Sequence, residues 1–173
     1  MGNSDDASDW TADRTTFQRV YDVLLGTTSF RSADEIADRA DCSDAGARSA
    51  LDQLVEMGVA DRRSGRPATY RRNDSYLTWK RVETLAQEHT AAELRDRVRE
   101  LITEDETFQA EFGVPDPDAV TEADLASDDA RGDQDALEDR WTVLNDWRTI
   151  RRDVRVLRRA AQRASRAEDG ARA

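Results

Sequence analysis

The 173 residues suffice for one ordinary domain, or for a small domain with a helical extension, but 38% hydrophobic and 6% aromatic residues support only a modest core. No stretch is apolar for long enough to cross a bilayer, and the first nine residues lack the basic start and apolar run of a secretory signal. One cysteine (Cys42) and one histidine (His89) exclude an internal disulfide and a cysteine-based zinc site, and the 37 acids against 26 bases leave a net charge of −11.

Residues 1–11 are polar and are expected to be a disordered N-terminus. Phe17, Val20, Tyr21, Leu24 and Leu25 recur at helical spacing before Gly26, which predicts a first helix over 12–25. Thr27 to Arg31 is a short link with room for a small strand. Ser32-Ala-Asp-Glu35 has the form of a capping box, in which the two side chains satisfy each other's free backbone donors. It opens a short helix with Ile36, Ala37 and Ala40 inward. Asp41-Cys42-Ser43 breaks that helix, and Ser43 caps a third over Asp44 to Met57, with Ala47, Ala50, Leu51, Leu54 and Val55 inward. Gly58 suits a left-handed C-terminal cap. Val59 to Arg63 and Ala68 to Arg72 then read as two strands around a Ser64-Gly-Arg-Pro67 turn.

Beyond the hairpin the chain reads as helical. Tyr76, Leu77, Trp79, Val82, Leu85 and Ala86 make an amphipathic stretch over 75–88. Thr90-Ala-Ala-Glu93 is a second capping box, opening a helix with Leu94, Val98, Leu101, Ile102 and Phe108 on its apolar side. Residues 113–132 hold two prolines, many acids and one base, and are expected to be a flexible acidic linker. A long final helix within 133–168 follows, with 169–173 as a tail. The fold class expected is mainly α with a small β-hairpin wing: a domain over 12–72, attached helices over 73–112, and a C-terminal helical extension.

Ser43, Ala47, Leu51, Leu54 and Gly58 follow a pattern of hydroxyl cap, small packing residue, two core leucines and turning glycine. This segment resembles the recognition helix of the winged helix-turn-helix regulators of the archaeal and bacterial MarR, ArsR and TrmB-like groups. The hairpin from Arg62 to Arg72, with Gly65-Arg66-Pro67 at its tip, is similar to the wing of the same families. The resemblance covers roughly residues 12–72 and implies a DNA-binding transcriptional regulator without enzymatic activity, cofactor or metal. The wealth of Asp and Glu with Lys80 as the only lysine resembles proteins of salt-loving archaea, in which high surface charge maintains hydration. A cytoplasmic location is expected.

The docking that the family implies puts the start of the third helix in the major groove, presenting Asp44, Ala45, Arg48, Ser49 and Gln53. Arg48 suits a guanine edge, or an ion pair with Asp44 or Asp52. Gln53 suits an adenine edge or a phosphate, and Ser43 with the free donors of the helix start suits a phosphate. The hairpin concentrates Arg62, Arg63, Arg66, Arg71 and Arg72 against one acid, Asp61, a local charge that duplex DNA rewards. Asp44, Asp52 and Glu56 stand where many relatives carry neutral or basic groups. They favour the alternative, a protein–protein interaction adaptor built on the same scaffold.

On the final helix Leu137, Trp141, Leu144, Trp147, Ile150, Val154 and Leu157 form a stripe too apolar to leave in water. It approximates a coiled-coil seam and predicts a homodimer, with packing on residues 75–110 of the same chain as the other solution. From Arg148 to Arg166 the helix carries eight arginines and one acid, Asp153. They are expected to meet the acids around Glu93, Asp96, Glu100 and Glu104 or those of the linker, a second DNA contact being the alternative. No membrane contact and no small-molecule ligand is indicated by any motif.

Overall fold

The computed structural model describes residues 14–125 and 134–171; the expected disordered segment 1–11, the end of the acidic linker and the last two residues lie outside them. The described chain is mostly helical with one three-stranded antiparallel sheet. It divides into two compact units, one ending at Leu77 and the other beginning at Thr78. No described helix is long and apolar enough to cross a membrane.

In the first unit, helix α1 (Thr16–Leu25) starts later than the apolar spacing predicts. The Thr15 hydroxyl accepts the Gln18 N–H at 3.2 Å while Gln18 Oε1 accepts the Thr15 N–H at 2.9 Å, a capping box that sets the first turn. Strand β1 (Arg31–Ser32) leads into α2 (Ala33–Arg39), capped by Ser32 and Glu35 as the sequence pattern indicates. Helix α3 (Asp44–Glu56) is capped by Ser43, whose Oγ accepts the Gly46 N–H at 3.2 Å. It ends on Gly58 at φ 75°, which turns the chain so that the Val59 N–H reaches Leu54 O at 2.8 Å.

Strands β2 (Ala60–Arg63) and β3 (Thr69–Arg72) form the hairpin, and β1 joins the other edge of β3, giving the order β1-β3-β2. Ala60 stands opposite Arg72 and Arg62 opposite Tyr70, so Ala60 and Tyr70 share the face turned to the core. Val20 and Leu24, Ile36, Ala47, Leu51 and Leu54, Val59 and Tyr70 close a single apolar cluster. The unit runs past the expected boundary at 72 because Asn73 Oδ1 accepts the N–H groups of Ser75 and Tyr76, and Tyr76 packs on this cluster. These bonds start helix α4 (Asp74–Glu88).

The second unit is built on helices α5 (Ala91–Phe112) and α7 (Gln134–Gly170). The Thr90–Glu93 capping box opens α5, and Gly113 at φ 67° closes it. Val82 and Leu94 pack with Val156, Ala160, Ala161 and Ala164; further along, Val98 and Leu101 pack with Val154. At the far end Phe112, Leu125, Leu144 and Trp147 make a third cluster.

One expectation is corrected here. The acidic stretch is not a flexible linker up to Leu125: Asp116 caps a 3-10 turn (Pro117–Ala119), Asp124 accepts from the Thr121 backbone, and helix α6 (Glu122–Leu125) follows. Pro117 and Leu125 are buried, so this segment belongs to the core that composition alone hid. The apolar stripe of α7 takes the other solution that the sequence offers, packing within its own chain. Leu144, Trp147 and Val154 are buried in their own chain, and Leu137, Ile150 and Leu157 pack against the same clusters. Trp141 alone of the seven stays exposed.

Candidate nucleic-acid interface

Helix α3 buries Ala47, Ala50, Leu51 and Leu54 and turns its other side outward. Ser43, Asp44, Ala45, Arg48, Ser49 and Gln53 are all exposed, as are Asp52 and Glu56. Arg48 Nη2 meets Asp34 of α2 at 2.8 Å and Asp44 at 3.8 Å. Its main partner is therefore on the neighbouring helix, which the spacing on α3 alone does not reveal. Asp52 lies 3.6 Å from Arg62, a contact between α3 and the hairpin. All these side chains are at least half exposed, and pairs of this kind contribute about 0–1 kcal/mol, so the arginines can exchange them for another anion.

The five arginines of the hairpin fall into two groups. Arg72 is structural: its Nη1 donates to Leu25 O at 2.9 Å and its Nε to Asp74 at 2.7 Å, tying the end of α1 to β3. Arg71 pairs with Asp61 at 3.1 Å and lies over the Phe30 ring at 4.7 Å. Neighbouring acceptors thus already hold Arg71 and Arg72. Arg63 lies over the same Phe30 ring at 4.0 Å, and Arg62 over Tyr70 at 5.9 Å. Arg63 and Arg66 are exposed and have no acid partner among the described residues. Arg66 stands beside Pro67 in the loop between the strands.

Phe30 escaped the sequence reading because the link between α1 and β1 carries no periodic signal. Its half-buried ring, set between Arg63 and Arg71, places the Arg63 guanidinium on the sheet face away from the core. Arg39, exposed at the end of α2, was also passed over and has no acid partner among the described residues.

The local electrostatics have plain causes. The Ser32 backbone N–H, and then the Arg31 guanidinium, hold Glu35 below the ordinary carboxylate range. Burial pushes the Cys42 thiol up at the bend before α3. Among the described residues no group of His, Cys, Asp or Glu could hold a metal ion. What the hairpin and α3 offer is hydrogen-bond donors: the Arg63 and Arg66 guanidinium forks, without acid partners among the described residues, a hydroxyl at a helix start, and an amide on the helix face. That set suits oxygen-rich anions.

No curated protein sequence and no solved structure matches the chain. Residues 14–163 match a family of unknown function (DUF7342), and the chain belongs to that family.

Proposed function

We propose that the first unit is a winged helix-turn-helix that binds duplex DNA, and that the protein acts as a non-enzymatic regulator of transcription. The observation that carries this reading is the β2–β3 hairpin, which offers Arg63 and Arg66 without acid partners directly after a serine-capped helix with a polar outer face. The element order α1-β1-α2-α3-β2-β3, with β1 on the outer edge of β3, supports the same reading. Binding acts by occupancy: the start of α3 enters the major groove, and the hairpin grips flanking phosphates. Arg48 exchanges Asp34 for a base edge, and Arg63 and Arg66 meet the backbone.

The test is a fluorescence-polarisation titration of the full chain against duplex fragments, including its own upstream region, at several KCl concentrations. Arg63→Gln with Arg66→Gln is expected to weaken binding to every sequence and to flatten the salt dependence by about two in slope. Equal affinity and slope in a folded double variant would refute the wing contact. The exposed Asp44, Asp52 and Glu56 favour a second reading, a protein-binding adaptor. A folded protein that retains no duplex at any salt gives that reading the lead.

A further inference from the structure

At 100° per residue the eight arginines between Arg148 and Arg166 fall within about 140° of the α7 circumference, along about 27 Å of helix. They lie opposite the buried Val154, Val156, Ala160, Ala161 and Ala164. The one acid of this span, Asp153, lies off the stripe and pairs with Arg81 at 3.1 Å. The sequence reading expected the acids of α5 and the linker to neutralise the arginines. Three of them do find acids: Arg148 meets Asp118 at 3.7 Å, Arg151 meets Asp105 at 2.5 Å and Asp116 at 2.8 Å, and Arg163 meets Glu83 at 2.8 Å. Arg152, Arg155, Arg158, Arg159 and Arg166 have no ion pair among the described residues. Asp96 and Glu100, expected as their partners, bind Arg99 and Arg97 of their own helix.

Arginines three and four apart on a helix repel one another, so such a stripe weakens the helix that carries it unless an anion lies along it. Solubility does not require it. In a chain of net charge −11 the outward face of α5 mixes Arg95, Arg97 and Arg99 with Asp96, Glu100 and Glu104. The corresponding face of α7 has no acid from Arg148 to Arg166.

We propose that this face of α7 is a second nucleic-acid-binding surface, which holds the phosphodiester backbone of duplex DNA. The proposal rests on the reading of the first unit as DNA-binding and extends it to the second. A duplex carries about one charge per 1.7 Å of axis, and so matches a continuous stripe; a lone phosphate would engage one or two forks. Guanidinium forks fit phosphate oxygens in pairs. A protein partner fits less well. Protein interfaces need apolar anchors at their centre, and between the arginines the exposed position is Gln162. The contact reads charge, not sequence.

The test compares the full wild-type chain with Arg152→Gln/Arg155→Gln/Arg159→Gln and with the corresponding triple lysine variant, on one labelled duplex over a KCl series. Circular dichroism establishes that each variant keeps its helix. The glutamine variant is expected to bind more weakly, with the slope of log K against log[KCl] reduced by about two to three. The lysine variant keeps the wild-type slope. Wild-type affinity and slope in the glutamine variant overturn the proposal. If Arg63→Gln/Arg66→Gln still weakens binding in that case, the reading of the first unit stands without it. Loss in the stripe variant with an unaffected hairpin variant keeps the proposal and removes the wing contact. Loss of binding in the lysine variant as large as in the glutamine variant makes the arginines structural and overturns it. A poly-glutamate peptide that binds the wild type, and not the stripe variant, more tightly than the duplex at equal charge makes an acidic protein the partner and also overturns it.

Discussion

Asp105 is the acceptor on which the second unit converges. Its Oδ1 takes the Trp147 Nε1–H at 2.6 Å and the Arg151 Nε–H at 2.5 Å; its Oδ2 takes Gln109 Nε2–H at 2.6 Å and Arg151 Nη2–H at 3.1 Å. Arg151 also reaches Asp116 at 2.8 Å and the Pro115 carbonyl, so this node ties the turn after α5 to both long helices. Asp105→Asn preserves shape but removes the charge and turns one acceptor into a donor facing other donors. Breaking a fully buried pair costs about 3–5 kcal/mol. The Asp105 and Arg151 side chains are 16% and 26% exposed, and Asp116 remains for the arginine, so the expected loss is about 2 kcal/mol. For a chain of this size that lowers Tm by about 4–8 °C. Urea unfolding followed by far-ultraviolet circular dichroism at neutral pH reads it as a shifted midpoint at unchanged slope. A difference below about 0.5 kcal/mol would refute the reasoning. The pH dependence supplies an internal control. Burial raises the Asp105 pKa, but hydrogen bonds from Arg151, Trp147 and Gln109 outweigh it and hold the group below its ordinary 3.8. Its contribution is therefore complete above that ordinary value and is lost as pH falls through the lowered folded one. Wild type and variant should converge only in that acid range.

Two further substitutions probe the first unit. Gly58→Ala meets no atom within 4 Å, so its cost is the left-handed backbone at φ 75° alone, about 1–2 kcal/mol in urea unfolding; a neutral result would show that the turn relaxes freely. Arg48→Ala removes an exposed side chain and should leave stability within about 0.5 kcal/mol while changing which sequences are selected from a random duplex library. An unchanged selected sequence would remove Arg48 from base contact.

The helix starts at Ser32, Ser43 and Thr90 were readable because each cap is a local device, complete within four residues. Thr15-Thr-Phe-Gln18 and Thr121-Glu-Ala-Asp124 are devices of the same kind and were equally available; apolar spacing drew attention from the first and acidic composition from the second. The fate of the arginines was not local. Arg151 finds Asp105 46 residues away, and Arg48 finds Asp34 on another helix, so no spacing rule along one face could assign them. The same holds for the stripe of α7: periodicity showed that it must be covered, but a partner copy and the chain's own α5 cover it with equal periodicity.

The sequestration of Trp147 also has an optical consequence. Its indole is fully buried, stacked 5.6 Å from Phe112 and 6.2 Å from Phe108, while Trp79 and Trp141 are 57% and 42% exposed. All three belong to the second unit, whereas Tyr21, Tyr70 and Tyr76, every tyrosine of the chain, belong to the first. With Trp10 replaced by phenylalanine, tryptophan emission reports one unit and tyrosine emission the other. The blue-shifted, quencher-resistant part of the tryptophan signal then comes from a single residue. The two halves can thus be watched separately, in the intact chain, without attaching a dye.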